Sequence, residues 1–391
     1  MSQFKDSIAQ SNVNFPIETV ITPMAGENYS RAMIFMHVTN AATYLPGITS
    51  PAPAAGDFIE LNSNNYGTIT GGLLKKWLVP FFAKATTVKV GIAIFDTDTT
   101  TETDDGEGGT TTVTTPATAP LSDVYEAKKM YAYFKFAIEE SAGYSEAQVN
   151  LSNLCLSDPL YSVLWIGTDD ADTLTKSSAI ITALKNAGSK ARVVYNSNAD
   201  INGALAQLGA TLATANTTGT PVGNSIDMLA FNTVQASGTA NADGEHADLT
   251  ATQKAALDDQ KIGYQTWVGD GTENVVTEGS LYLNGDSVGA NWVKAYIEYM
   301  CKVKTANYMT RMNTFRNNQT YQAILLILTD QVRPFVQFGR LDGFRLTAPT
   351  FDQLPPSGDQ ITVPNAWEAT YIDNVREVTV YGTLYLTQPT R

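Results

Sequence analysis

The alternation of β-prone and helical segments between Cys155 and Gly289 most constrains the fold. Short apolar runs typical of buried strands are separated there by segments with helical periodicity. Chains with this alternation form a mainly parallel sheet with helices packed against it. The predicted strands are 161–167, 191–195 and a short one within 225–234, and the predicted helices are 174–186, 202–215 and 251–260, the last with Thr250 as its N-cap.

The flanking segments extend this pattern. Buried strands are predicted at 32–38 and 88–95, with helices at 73–84 and 122–140. A long amphipathic helix is predicted from Trp292 to about Arg316, and a second over 319–331, with Pro334 and the stretch 339–343 ending the helical part. We therefore expect an α/β (α+β mixed) fold with a central, mainly parallel sheet flanked by helices.

The length of 391 residues corresponds to two or three domains, or to one elaborated domain. Changes of composition and pattern predict five regions. They are an N-terminal extended arm (1–22), an α/β region (23–150) with an acidic, threonine-rich insertion at 96–120, a second α/β domain (151–289), a helical and β C-terminal core domain (290–376) and a C-terminal strand arm (377–391).

The insertion at 96–120 holds six acidic residues and no basic one, which predicts a solvated loop. Asp96, Asp98, Thr100 and Glu107 fall at positions 1, 3, 5 and 12 of an EF-hand loop. Position 6 is Thr101, where the calcium loop needs Gly, and a strand precedes the tract instead of a helix. A solvated insertion is therefore the favoured interpretation over a calcium site.

Residues that usually carry enzyme chemistry are scarce. The chain has two histidines, His37 in an apolar strand and His246 in a polar loop, and no nucleophile-elbow or phosphate-loop motif accompanies them. Cys155 and Cys301 match no metal-site spacing and are interpreted as buried, reduced thiols. We predict no catalytic, cofactor-binding or metal-binding residues, no cofactor, and a protein that is not an enzyme.

The charge balance limits the classes of partner. A net charge of −14 argues against nucleic-acid coats and polybasic membrane binders. The start of the sequence has no signal-peptide pattern, and the longest aliphatic run, Ile324 to Leu328, is far too short to span a membrane. The sequence therefore predicts a protein made in the cytoplasm, with neither a nucleic acid nor a membrane as partner.

Residues 291–350 form an exception, because they hold eight basic and three acidic residues. Two interpretations remain open: a solvated helix face, or a surface that docks on an acidic partner.

Both ends of the chain are β-prone. Residues 17–22 form a short alternating run between two prolines, and 377–387 alternate over five pairs with almost no charge. An unprotected edge strand is a hazard that monomeric proteins normally avoid. The C-terminal strand is thus either a central strand of its own domain or one that completes a sheet in another subunit.

Several segments, in order, resemble the contractile bacteriophage (myovirus-type) tail sheath proteins. They are Leu249-Thr250-Ala251 through Gln260-Lys261-Ile262-Gly263-Tyr264, then Leu281-Tyr282-Leu283-Asn284-Gly285-Asp286 with Asn291-Trp292-Val293, and finally Tyr371-Ile372-Asp373-Asn374-Val375-Arg376 with the last strand. Order and spacing carry this resemblance, which covers most of residues 150–391.

The resemblance implies a structural subunit of a contractile tail sheath, found in the virion. Hexameric rings would stack helically around a tail tube, with baseplate and tail terminator proteins as further partners, and contraction would drive the tube through the host envelope. The arms would pair with neighbouring subunits through the following residues: Ile17, Thr19, Ile21, Val378, Val380, Tyr381, Leu384 and Leu386.

The basic segment suggests which surface would face the tube. Our hypothesis is that Lys294, Lys302, Lys304, Arg311 and Arg316 contact an acidic tube through weak, salt-screened interactions. The alternatives are another virion or surface-lattice protein, such as a baseplate or capsid component, and, less favoured, an α/β hydrolase.

Overall fold

The secondary structure alternates as the sequence predicts. The computed structural model describes residues 27–46, 53–104, 110–138, 146–213, 230–231, 234–240, 247–268, 274–312, 317–354, 363 and 366–372. The strands are β1 (Ala32–His37), β2 (Phe58–Leu61), β3 (Val90–Phe95), β4 (Thr99–Asp104), β5 (Thr110–Thr115), β6 (Phe134–Ala137), β7 (Val163–Thr168), β8 (Arg192–Tyr195), β9 (Ala230–Phe231), β10 (Gly263–Val268), β11 (Asn274–Glu278), β12 (Leu341–Leu346) and β13 (Trp367–Tyr371).

The helices connect these strands. They are α1 (Val38–Tyr44), α2 (Leu73–Lys84), α3 (Leu121–Lys128), α4 (Glu146–Ser157), α5 (Ala179–Asn186), α6 (Gly203–Ala213), α7 (Ala251–Gln260), α8 (Val288–Arg311) and α9 (Asn318–Gln337), with short 3₁₀ turns at Glu27–Ser30, Tyr66–Thr68, Ala171–Thr175 and Phe351–Gln353.

Among the described residues, nine strands form the central sheet, in the order β2-β3-β1-β6-β7-β8-β10-β11-β9. The six from β3 to β10 in that order are parallel to one another. β2 and the pair β11 and β9 are antiparallel additions at the two ends. The predicted α/β class with a mainly parallel sheet is confirmed.

Side chains alternate between the two faces of the sheet and build two hydrophobic cores. Along β1, Ala32, Ile34 and Met36 join the core shared with α2, α6 and α8, whereas Met33 and Phe35 join the core shared with α3, α4, α5 and α7. The sheet is thus covered by helices on both faces. β6 and β7 pair directly, so strands from both sides of the predicted boundary at residue 150 belong to one sheet.

Several helix boundaries follow from local chemistry. α2 has the predicted ends, and it packs closely on α6 because Gly209 has no side chain there: a Cβ atom at this position would lie 2.7 Å from the Cα of Phe81. Thr250 is the N-cap of α7, in a capping box with Gln253.

Three sequence predictions are corrected. The tract 96–120, predicted as a solvated loop, is exposed where described but contains an antiparallel hairpin, β4 paired with β5. The helix predicted at 122–140 ends at Lys128, and the chain then forms β6, a central strand. α9 continues past Pro334 to Gln337, because a proline in the last turn removes only one backbone hydrogen bond near the helix end.

The C-terminal region is a helical pair with a small separate sheet. α8 begins at Val288 with Ser287 as its N-cap, and its first half packs into the core through Trp292, Val293 and Ile297. α9 follows, and β12 pairs antiparallel with β13 in a two-stranded sheet. The predicted arms, 1–22 and 377–391, lie outside the described residues.

Candidate assembly surfaces

The carboxyl end of the parallel sheet, where α/β enzymes often place their sites, holds His37. His37 ends β1 and is only 8% exposed. Its Nδ1 and Nε2 atoms lie 2.8 and 3.2 Å from the hydroxyls of Thr39 and Thr97. Both ring nitrogens therefore have threonine partners, and we interpret His37 as a structural residue and not as a catalytic one.

The calcium-loop residues are engaged with backbone groups. Asp96 accepts hydrogen bonds from the amides of Thr118 and Ala119, and Asp98 accepts one from Ala117. These carboxylates close the base of the β4–β5 hairpin. Within the described ranges, no three His, Cys, Asp or Glu side chains come together as metal ligands.

The two cysteines are free thiols. Cys155 is buried in α4, and Cys301 is partly buried in α8. Burial raises the pKa of each thiol to about 12, so little reactive thiolate forms at neutral pH.

The predicted tube-facing cations do not share one environment. Lys294, Lys304 and Arg311 are exposed along one side of α8, with two turns of helix between Lys304 and Arg311. Lys294 lies 3.9 Å from Glu298. Lys304 and Arg311 make no ion pair with any described residue, so their charges face solvent. Arg316 lies outside the described residues.

Lys302 differs from these cations because it is only 7% exposed. Its ammonium donates a hydrogen bond to the Tyr161 hydroxyl and lies over the Tyr161 ring. The Lys302 side chain therefore attaches α8 to the segment before β7 and does not project from the described surface.

Exposed apolar side chains concentrate in the C-terminal region. Six of the eight large hydrophobic residues that the described part leaves exposed lie between residues 312 and 372: Met312, Leu326, Val336, Phe338, Leu346 and Ile372. Phe338 is 64% exposed at the end of α9. Ile372 is 41% exposed, and its amide donates to the carbonyl of Arg340, two residues after Phe338.

The β12–β13 sheet has two strands in the described part of the chain. A sheet of two strands is marginally stable in water unless something further pairs or packs with it. Residue 372 is the last described position before the predicted C-terminal arm.

A cavity of about 280 Å³ opens between α4 and the first half of α8. Its wall includes Tyr133, Leu160 and Ala295, with Cys155 from α4 and Tyr282 from the turn before α8. Tyr282 is 1% exposed, and its hydroxyl has no hydrogen-bond partner within the described residues. The sequence carries no signal for this cavity, because its wall comes from five separate segments.

Two fully buried cations were also missed by sequence reasoning. Arg192 in β8 donates from Nε to Gln207 Oε1 at 3.0 Å and from its guanidinium to carbonyls of residues 278, 279 and 281. Lys135 in β6 donates to the carbonyls of Lys129 and Ala132. Burial lowers the pKa of Lys135 to about 7. Both side chains donate hydrogen bonds to backbone carbonyls of the same chain, so we interpret them as structural residues.

The chain was compared with known proteins. No protein-family model matches it, and no curated protein sequence does. A chain of the anti-feeding prophage baseplate, solved by cryo-electron microscopy with six-fold symmetry imposed, matches with a TM-score of 0.58 at 14% identity, covering 96% of this chain and 98% of that one. A sheath tail protein from Listeria innocua matches with a TM-score of 0.45 at 10% identity, covering 88% and 92%.

These comparisons concern nearly the whole chain and not a single domain. No helix among the described residues is long and apolar enough to cross a bilayer. The likeness to the baseplate chain covers 96% of this chain, so it includes both the central sheet and the C-terminal region. The chain therefore has a mixed α/β fold similar to that of the baseplate chain.

Proposed function

We propose that the chain is a structural subunit of a contractile tail sheath, forming stacked hexameric rings around a tail tube in the virion. The observation that carries this proposal is the fold likeness to a prophage baseplate chain over almost the full length of both chains. The proposed partners are further copies of the chain, a tube protein, and baseplate and terminator proteins. No catalytic step belongs to this role.

The C-terminal region supports the proposal physically. Phe338 and Ile372 are exposed apolar side chains near a sheet that has two strands in the described part of the chain, and a monomer gains nothing from apolar side chains left in water. Arms from neighbouring copies, residues 1–22 and 377–391, would add strands to such a sheet. Backbone ladders of this kind hold subunits together while their bodies change packing during contraction.

The experiment combines imaging with a deletion. The purified full-length chain should form tubes or rings by negative-stain electron microscopy. Deleting residues 377–391 should leave the circular dichroism spectrum unchanged and abolish the polymers. Loss of folding in the deleted chain would instead assign the last strand to its own domain, and intact polymers would remove the arm from assembly.

A baseplate subunit is the second candidate, because one of the matching solved chains belongs to a baseplate. A baseplate protein assembles into a closed ring of fixed size, whereas a sheath protein adds rings without limit. The length distribution of the particles separates the two: extended tubes favour the sheath, and single rings favour the baseplate.

A further inference from the structure

β12 contains a bulge at Gly343. Asp342 pairs with Thr370 of β13, and the next pair along the ladder joins Arg345 to Glu368, so Gly343 falls inside the irregularity. Gly343 has a φ of 61°, which glycine adopts without steric cost. Its amide donates a hydrogen bond to Oδ1 of Asp342 at 2.7 Å. The bulge therefore turns the Gly343 nitrogen towards the carboxyl group of the preceding residue.

This contact brings two reactive atoms together. Because Cγ of Asp342 is bonded to the accepting oxygen, it lies at most about 4 Å from the Gly343 nitrogen. Reacting atoms about 3–3.5 Å apart are in a near-attack geometry. The N–H bond points at the carboxyl group, and the nitrogen lone pair takes that direction once the proton is lost. Asp342 and Gly343 are both exposed, so water reaches the site.

We propose that the Asp342–Gly343 bond is a site of spontaneous backbone isomerisation through a cyclic imide. The Gly343 nitrogen forms a bond to Cγ of Asp342, and one carboxyl oxygen leaves as water with the amide proton and the carboxyl proton. A water molecule then opens the ring. Opening at Cγ restores aspartate, whereas opening at the main-chain carbonyl gives isoaspartate. The net reaction only rearranges atoms, so it needs no cofactor and no oxidant.

The isomerised site differs from the original in two ways. The main chain runs through Cβ and Cγ of residue 342 and gains one atom, and the α-carboxylate becomes a free group. Isoaspartyl methyltransferases methylate such a carboxylate, and they are the class of enzyme that the modified site fits. The added atom lies next to Phe344, whose ring centroid is 6.4 Å from that of Trp367. The reaction occurs within one copy, so the inference is independent of the proposed function.

The fold holds a chemically more reactive bond in an unproductive arrangement. The neutral amide of asparagine is a better electrophile than an ionised carboxylate, so Asn-Gly reacts faster than Asp-Gly in an unfolded chain. Asn284 and Gly285 are exposed, but the Gly285 amide donates to the carbonyl of Tyr282 at 2.8 Å. The Asn284 side chain instead bonds to residue 286. The other Asn-Gly bond, at residues 202–203, has a buried glycine.

The order of reaction at these bonds tests the inference. Full-length protein is aged near neutral pH, folded or in urea, and each bond is followed by peptide mapping with electron-transfer fragmentation, which separates isoaspartate from aspartate. In the folded chain, isoaspartate should form at least about five-fold faster at 342 than at 284. In urea the order should reverse. A folded-state rate at 342 equal to or below that at 284, or the same order in both states, would overturn the inference.

Mapping keeps this bond apart from similar ones in the sequence. Four Asp-Gly bonds occur, and those at 105–106, 243–244 and 270–271 lie outside the described residues. Asp342→Glu is the matched control, because its longer side chain would have to close a six-membered ring. Isoaspartyl methyltransferase should label the peptide that contains residue 342 in the aged wild type and not in this variant. Equal labelling of that peptide in both proteins would assign the signal to another residue and contradict the inference.

Asp342→Asn isolates the contribution of the fold, because it places the same Asn-Gly dipeptide at 342–343 and at 284–285. The substituted side chain keeps an oxygen that accepts the Gly343 amide. In the folded variant, deamidation should be at least about ten-fold faster at 342 than at 284, and in urea the two rates should be similar. Circular dichroism verifies that the variant is folded. Equal rates in the folded variant would show that the contact is unproductive, and the wild-type measurement decides the question if the variant does not fold.

Discussion

The sheet-centred body and the C-terminal region use their apolar residues differently. In the body, residues 27–286, only Val79 and Val113 among the described large hydrophobic side chains are exposed. The C-terminal region, residues 288–372, exposes six. α8 joins the two, since Trp292 and Ile297 are buried in the core whereas Lys304 and Arg311 are exposed. Folding buries most large apolar side chains of the described body, whereas the described C-terminal region leaves six of them exposed.

Two phenylalanines sharpen this comparison. Phe81 in α2 is fully buried, whereas Phe338 at the end of α9 is 64% exposed. Phe81→Ala should lower the free energy of unfolding by about 3–5 kcal/mol, because it removes buried contacts and leaves a cavity. Phe338→Ala should change it by less than about 0.5 kcal/mol. Urea denaturation followed by tryptophan fluorescence measures both.

The same pair separates folding from assembly. Phe338→Ala should reduce the formation of tubes or rings in negative-stain images while leaving the chain folded. A large loss of stability from Phe338→Ala would place this side chain in the protein's own core. Normal polymers would show that Phe338 is not a contact between copies.

The class of the fold could be predicted from the sequence because alternation of strands and helices is a local pattern. α2 and the cap of α7 follow from short-range periodicity and capping chemistry. β6 could not be recognised, because its four residues include Lys135 and stand in a run that also fits helical periodicity. Only its place between β1 and β7 makes the segment a strand. The β4–β5 hairpin was not predicted because two signals in this tract conflict. Its threonines favour strands, but its acidic composition indicates a loop, and the prediction followed the composition.

The buried Lys135 makes the stability of the body depend on pH. It is fully buried, and burial lowers its pKa to about 7, against about 10.4 in an unfolded chain. Between these values the unfolded chain binds a proton that the folded chain releases. The contribution of Lys135 to the free energy of unfolding should therefore rise with pH, by up to about 1.4 kcal/mol per unit above pH 7.

Lys135→Met isolates this contribution. The variant should be more stable than the wild type at pH 6.5, and the difference should shrink by about 1–2 kcal/mol towards pH 8.5. Cys155 and the buried tyrosines have raised pKa values and act in the opposite direction at higher pH, but both proteins contain them. Lys304→Met serves as the exposed control. Urea curves that differ by a constant amount across this range would contradict the prediction.

The site residues were harder to predict than the fold, for a physical reason. Sequence composition locates a basic segment, but only exposed cations can contact another protein. Whether a cation is buried depends on residues that are far away in the sequence. Lys302 and Lys304 are two residues apart, yet the partner of Lys302 is Tyr161, from the segment before β7. Arg192 likewise depends on carbonyls of residues 278–281. Such long-range pairs leave no local pattern.

The smallest expected effect concerns the cations of α8 and the proposed acidic tube. Lys304→Glu with Arg311→Glu should leave stability and polymerisation of the free chain unchanged, because neither cation is ion-paired within the described residues. Co-sedimentation with tubes should weaken about ten-fold at 50 mM salt and much less at 500 mM, since exposed charge pairs contribute about 0.2–1 kcal/mol each and salt screens them.

Lys302→Glu is the contrasting variant: it places a carboxylate at a buried position and should lower stability instead. Unchanged tube binding by the double variant at low salt would remove this face of α8 from the tube contact.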